Sequence, residues 1–295
     1  QFWIDTEYIP SKDIDSWNGL EQPMKEAYKM ALGGLTLLDT LQSHTGMPKV
    51  IDHIDSLQNK SVLSYMCMME TIHAKSYSTI FTTVATTPEI NEIFNWVQEN
   101  EHLQFKARTI DSYYRKLDKK DASPEEVFMA LSASVLLETF LFYSGFFLPL
   151  WLSGQGQMVA SCDIIKKIIA DESIHGVFVG LLAQEIFRKF SAQDQERIEK
   201  NLKDLMYVLY ENELKYTDEV YSNVRETLVN YLFCAHELSL SLNLSFLNSD
   251  NKISREYKFK SNEFKSNVYT MFFSNLDFIE PSSFIAIRYR KANMI

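Results

Sequence analysis

Glycine and proline are scarce in this chain, with 9 Gly and 7 Pro among 295 residues. Together they make up about 5% of the sequence, against roughly 12% in average usage. So few breakers cannot supply the many tight turns of a sandwich or barrel, which leaves long helices. Cysteine is scarcer still. Cys67, Cys162 and Cys234 are far apart and odd in number. That excludes a disulfide framework or clustered zinc site and fits buried apolar residues of a reducing, cytoplasmic compartment. Basic charge is short as well: 29 Lys and Arg against 39 Asp and Glu give a net charge of −10. The electrostatic footprint of a nucleic-acid binder is therefore missing. Nothing at the Gln1 end reads as a signal peptide.

What is present is apolar side chain. Hydrophobic residues make up 46% of the chain, enough for a large core and incompatible with general disorder. Residues 128–154 carry a single charge, Glu138, and are long enough to span a bilayer. Gly145 and Pro149 interrupt the run, serines are scattered through it and no Lys or Arg cluster flanks it. A fully buried central helix is the better reading, with no membrane partner.

The apolar periodicity is helical nearly throughout. A first helix is expected over residues 23–43, with Pro23 at its first position, and a second over 52–83. A third opens at Thr87-Pro88 and a fourth at the capping box Ser123-Pro124-Glu125-Glu126. A fifth covers 159–190, Ser191 caps a sixth, and a seventh covers 223–244. One domain over 1–295 is expected, with residues 248–295 set apart by eight Lys and Arg against five Asp and Glu.

Acidic residues interrupt the apolar stripes at regular places. On the second helix Leu63, Met66, Glu70, His73, Tyr77 and Ile80 share one face, and on the fifth Ile165, Ile168, Glu172, His175, Val179 and Leu182 do. Both stripes thus contain a Glu-x-x-His pair. Asp39 shares a face with Tyr28, Leu32 and Leu35 on the first helix, and Glu138 with Val135 and Phe142 on the fourth. Four buried carboxylates and two imidazoles cannot stay unpaired. Two divalent cations neutralise the four acids, and this donor pattern matches a ferritin-like dimetal carboxylate bundle. Mixed oxygen and imidazole donors suit iron or manganese. Glu99-Asn100-Glu101-His102 has the same spacing but lies in a polar stretch and reads as solvated.

At these positions the sequence resembles the small, radical-generating subunit of class I ribonucleotide reductase, most closely the bacterial class Ib form. The resemblance is carried by Gly34-Leu35-Thr36-Leu37-Leu38-Asp39-Thr40 and by Met69-Glu70-Thr71-Ile72-His73-Ala74-Lys75-Ser76-Tyr77-Ser78. Leu137-Glu138-Thr139-Phe140-Leu141-Phe142-Tyr143-Ser144-Gly145-Phe146 and Ala170-Asp171-Glu172-Ser173-Ile174-His175-Gly176 continue it, and it extends over residues 1–221. It implies one metal at Asp39, Glu70 and His73 and another at Glu138, Glu172 and His175, as two Mn or two Fe ions. It implies a tyrosyl radical at Tyr77, shielded by Phe142, Phe146 and Ile168. Trp3 and Asp171 would join His73 at the start of the radical-transfer route. The implied partners are a second copy in a homodimer, a large (alpha) subunit that reduces ribonucleotides to deoxyribonucleotides, and a flavodoxin-like activator for the manganese form. Relatives end in an acidic docking tail with a tyrosine; this chain ends in the basic Arg288-Tyr289-Arg290-Lys291-Ala292-Asn293-Met294-Ile295.

Two other functions fit the same donor set: a ferritin-like oxidase or oxygenase acting on a directly bound substrate, and a ferritin-type storage shell.

Overall fold

Ten α-helices account for most of residues 2–224, the part of the chain described by the computed structural model. They are α1 (Ile14–Gly19), α2 (Gln22–Leu41), α3 (Met47–Asp52), α4 (Leu57–Val84) and α5 (Thr87–Glu99). After them come α6 (Glu101–Arg115), α7 (Pro124–Leu136), α8 (Tyr143–Gly154), α9 (Val159–Phe187) and α10 (Ala192–Val220). No strand occurs among the described residues. α2 lies along α4 and α7 along α9, α8 packs on both α2 and α9, and α4 reaches α9. The core sits where α2, α4, α7 and α9 meet, as in a ferritin-like bundle.

Local capping chemistry sets most helix starts. Thr86 and Glu89 form a capping box at α5, and Ser123 and Glu126 form another at α7 with Pro124 at its first position. Ser191 accepts a hydrogen bond from Asp194 N to open α10. The expected second helix begins later than Asp52: α3 ends there, and Ser56 caps α4 through Asn59 N. Pro23 is the second residue of α2, not the first. The expected third helix is two, because Asn100 is extended and caps α6 by accepting from Leu103 N at 2.8 Å. The fifth ends at Phe187, three residues short of expectation.

The long apolar run is core. Residues 124–154 have the length and composition of a membrane span, but 89% of their most apolar window is buried inside the bundle. A π turn, Leu137–Leu141, breaks it into α7 and α8 and carries Glu138. A second π turn, Gln42–Gly46, follows α2. Such turns add one residue to the helical ladder and re-aim the side chains they carry.

One cap is tertiary. The Asp13 carboxylate accepts from Ala160 N at 3.0 Å and Ser161 N at 2.6 Å, which ties the N-terminal segment to the start of α9. The expected seventh helix enters the described residues only as a 3-10 turn, Ser222–Val224. Its remainder, Cys234, residues 248–295 and Tyr289 lie outside the described residues.

Candidate metal centre

A three-residue step on an α-helix returns to nearly the same face, so Glu70 and His73 on α4 point the same way, as do Glu172 and His175 on α9. Packing then brings in Asp39 from α2 and Glu138 from the π turn after α7. The result is two interlocking groups. Asp39, Glu70, His73 and Glu172 each offer a donor atom within 4.8 Å of the others, and so do Glu70, Glu138, Glu172 and His175. Glu70 and Glu172 belong to both. All six side chains are buried.

Each imidazole turns Nδ1 towards the cluster. His73 Nδ1 lies 2.9 Å from Glu172 Oε1 and 3.3 Å from Glu70 Oε2. His175 Nδ1 lies 2.7 Å from Glu70 Oε1 and 2.8 Å from Glu172 Oε2. The rings stack with centroids 5.9 Å apart.

The donors fit a pair of cations better than they fit one another. Both Asp39 oxygens, Glu70 Oε1, Glu138 Oε2 and Glu172 Oε1 are buried without a completed hydrogen bond. The 2.7 Å and 2.9 Å approaches of Glu70 Oε1 and Glu172 Oε1 to imidazole nitrogens lack hydrogen-bond alignment. Orphaned oxygens at this depth are costly, and convergence of carboxylate and imidazole atoms on common points is the geometry a metal satisfies.

Proton affinities show the same crowding. Burial first, then the charges of Glu172 and Glu70, hold Asp39 well above the usual carboxylate range. Burial, then Glu70 and Glu172, does the same to Glu138. Burial works to raise Glu70 too, but His175 and His73 outweigh it and hold it at about 2. Burial would depress both histidines. The surrounding acids, Glu172 and Asp171 foremost, instead raise His73 well above its ordinary value. Glu70 and Glu172 likewise raise His175 to about 9.

Tyr77 stands one helical turn beyond His73 and is completely buried. Its hydroxyl has no completed hydrogen bond. Burial, followed by the neighbouring Asp39, Glu172 and Glu70 charges, pushes its pKa well above the ordinary tyrosine value. Phe142, Phe146 and Ile168 are also completely buried, with the two phenyl centroids 6.0 Å apart.

On the opposite side of His73, Nε2 lies 3.1 Å from Asp171 Oδ2, and the same oxygen accepts from Trp3 Nε1 at 2.7 Å. The Trp3 and His73 rings stack at 5.7 Å. Glu99 and His102 stand apart from both donor groups; His102 approaches the exposed Glu101 instead. Sequence reasoning missed Gln42, which donates to Glu138 Oε1. Its one signal was its position three residues after Asp39, on the same face.

The sequence pattern of the family described as "Ribonucleotide reductase, small chain" matches residues 1–236. Over 225 residues the chain is 50% identical to the ribonucleoside-diphosphate reductase subunit beta of Bacillus phage SPbeta, covering 76% of this chain and 68% of that protein. It is 38% identical to ribonucleoside-diphosphate reductase 2 subunit beta of Escherichia coli (strain K12), covering 75% and 67%. Among solved structures it resembles Streptococcus sanguinis dimanganese(II)-NrdF with a TM-score of 0.72 at 39% identity, covering 81% of this chain and 84% of that one. An R2-like ligand-binding oxidase shares the fold at 18% identity and TM-score 0.69.

Proposed function

The chain belongs to the ribonucleotide reductase small-chain family, and from that premise we propose that it is a class Ib subunit whose Tyr77 is oxidised to a tyrosyl radical. It is the beta, radical-generating subunit of a ribonucleoside-diphosphate reductase and works with a large subunit. The observation that carries the Tyr77 reading is its place, one turn from the Glu70–His73 pair in a fully buried pocket. Class Ib is supported by the likeness to dimanganese(II)-NrdF, and ribonucleoside diphosphates as substrates by the names of the relatives.

Asp39, Glu70 and His73 would hold one cation, Glu138, Glu172 and His175 the other, with Glu70 and Glu172 shared. The donor set suits two Mn or two Fe ions. When bound, the pair supplies the one-electron oxidising power that a phenol requires. The protein's own groups do the rest. Tyr77 gives up one electron and its hydroxyl proton; of the neighbouring carboxylates, Asp39 bears most strongly on the phenol. Phe142, Phe146 and Ile168 keep water and reductants from the ring. Asp171 holds Trp3 and His73 through one oxygen, so an electron and a proton can pass between the buried centre and the N-terminal segment. That segment meets solvent at Phe2 and Ile9. A flavodoxin-like activator, a single domain over 1–295 and a cytoplasmic location belong to the same reading.

The test is Tyr77→Phe. The variant should bind the same metal complement and lose the tyrosyl signal in electron paramagnetic resonance, and with it all deoxyribonucleotide formation. A signal unchanged in the variant overturns the assignment. An oxidase acting directly on a bound substrate would keep its chemistry in Tyr77→Phe.

A further inference from the structure

We propose that Tyr114 and Gln42 form a positioning device for Glu138: the phenol fixes the direction of the Gln42 amide, and the amide holds one oxygen of the Glu138 carboxylate. The inference rests on the reading of Glu138 as a metal ligand. Four separate elements build the device. Gln42 opens the π turn after α2, Tyr114 comes from α6, Ser134 from α7, and Glu138 from the π turn after α7. Gln42, Tyr114, Ser134 and Glu138 are all completely buried.

The hydrogen bonds run in one direction. Tyr114 OH donates to Gln42 Oε1 at 2.6 Å. Gln42 Nε2 donates to Ser134 Oγ at 2.7 Å and to Glu138 Oε1. A carboxylate that has given up its proton to bind a cation only accepts, so the amide must present its NH2 to Glu138. That leaves Oε1 buried and in need of a donor, and Tyr114 supplies it. Gly46 makes the approach possible. A Cβ there would lie 2.6 Å from Gln42 Oε1 and 2.7 Å from the Tyr114 ring, so any larger residue would wedge the two apart.

The consequence is a division of labour within one carboxylate. Glu138 Oε1 is held by the amide, while Oε2 has no hydrogen-bond partner and lies 3.9 Å from His175 Nδ1. Held this way, Glu138 offers one oxygen to the cluster; released, it can swing to offer two. The device therefore controls the cation site of Glu138 and His175, while Asp171 braces the other site through His73.

The experiment uses the full chain stripped with chelator and titrated with Mn(II), read by metal stoichiometry, binding isotherm and the paramagnetic line shape of the manganese pair. Tyr114→Phe removes a single oxygen. It should still bind two ions per chain, weaken one of them about tenfold, and alter the line shape. Gln42→Met, which keeps volume and loses the amide, should do the same, and the double variant should be no worse than Gln42→Met alone, because the two residues act as a unit. Wild-type affinity and line shape in Tyr114→Phe would overturn the device alone, as would additive effects in the double variant. A parent chain that binds fewer than two ions would overturn the metal reading and the device with it.

Discussion

Trp3 and His73, seventy positions apart, are joined through one carboxylate oxygen: Asp171 Oδ2 accepts from Trp3 Nε1 at 2.7 Å and lies 3.1 Å from His73 Nε2. The oxygen fixes the tilt of both rings and sets which nitrogen His73 turns to the cluster. Trp3→Phe preserves an aromatic ring and deletes the donor. The variant is expected to load metal and form the Tyr77 signal normally, while deoxyribonucleotide formation with the large subunit falls by about two orders of magnitude or more, as for loss of a group on the reaction path. Parallel radical quantitation and turnover assays check it; turnover near wild type would remove Trp3 from the route.

Protons and cations compete for the same atoms. Asp39 and Glu138 hold protons far more tightly than usual because they are buried beside other acids, and His175 is raised from 6.5 to about 9. Raising the pH removes these protons, so Mn(II) affinity should climb between pH 6 and pH 9, with proton release on binding. Stability follows the linked sign. In chelator-treated protein the raised His175 contributes fully below pH 6.5, and that contribution is lost as the pH rises through about 9. Melting curves across this range should show the advantage of the Mn-loaded protein widening with pH. A gap that stays constant or narrows contradicts the competition.

Away from the cluster, Lys106 on α6 and Glu213 on α10 form a buried ion pair, with Nζ 3.0 Å from both carboxylate oxygens and 3.5 Å from the Tyr216 ring centroid. Removing one partner strands the other charge. Lys106→Met alone should cost about 3–5 kcal/mol in urea unfolding, and the Lys106→Met, Glu213→Leu pair should recover most of it. Equal losses in the single and double variants would show that packing, not charge, governs this contact.

The outer face of α4 is where a second copy of the chain is expected to pack. From Leu57 to Thr82 its exposed positions carry one charge, Lys75, already paired with Asp5 at 2.9 Å. Ser61, Ser64, Thr71, Ser78 and Thr82 donate to their own helix backbone, so their hydroxyls need no water, while Val62, Tyr65 and Met68 stand exposed. On a chain of net charge −10, a face of this length with a single, already paired charge suits isologous burial about a two-fold axis. Met68→Glu, which sets two negative charges against each other across that axis, should yield monomers by light scattering with metal binding retained. A persistent dimer would move the interface elsewhere; a large shell would point to storage.

Much of the centre was legible in the sequence because helical geometry is local. Steps of three and four residues dictate that Glu70, His73 and Tyr77 share a face whatever the rest of the chain does, and the same holds for Glu172 and His175. Helix starts were legible for the same reason, since Ser123 and Ser191 bond within their own first turn. Where a boundary was misjudged, at Asn100 and at residues 53–56, one polar residue caps a new helix with no glycine or proline to mark the break.

Tertiary structure decided everything that depends on which helices touch. Spacing offers six donors, but only the packing of α2, α4, α7 and α9 makes Glu70 and Glu172 common to both groups. Asp13 as a cap for α9, Lys106 against Glu213 and Gln42 against Glu138 link residues about 96 to 148 positions apart, beyond the reach of any local period. The scarcity of breakers foretold long helices, yet the π turns at Gln42 and Glu138 need neither glycine nor proline to begin. They arise where buried polar side chains must reach across the bundle, a demand that exists only once the helices have packed.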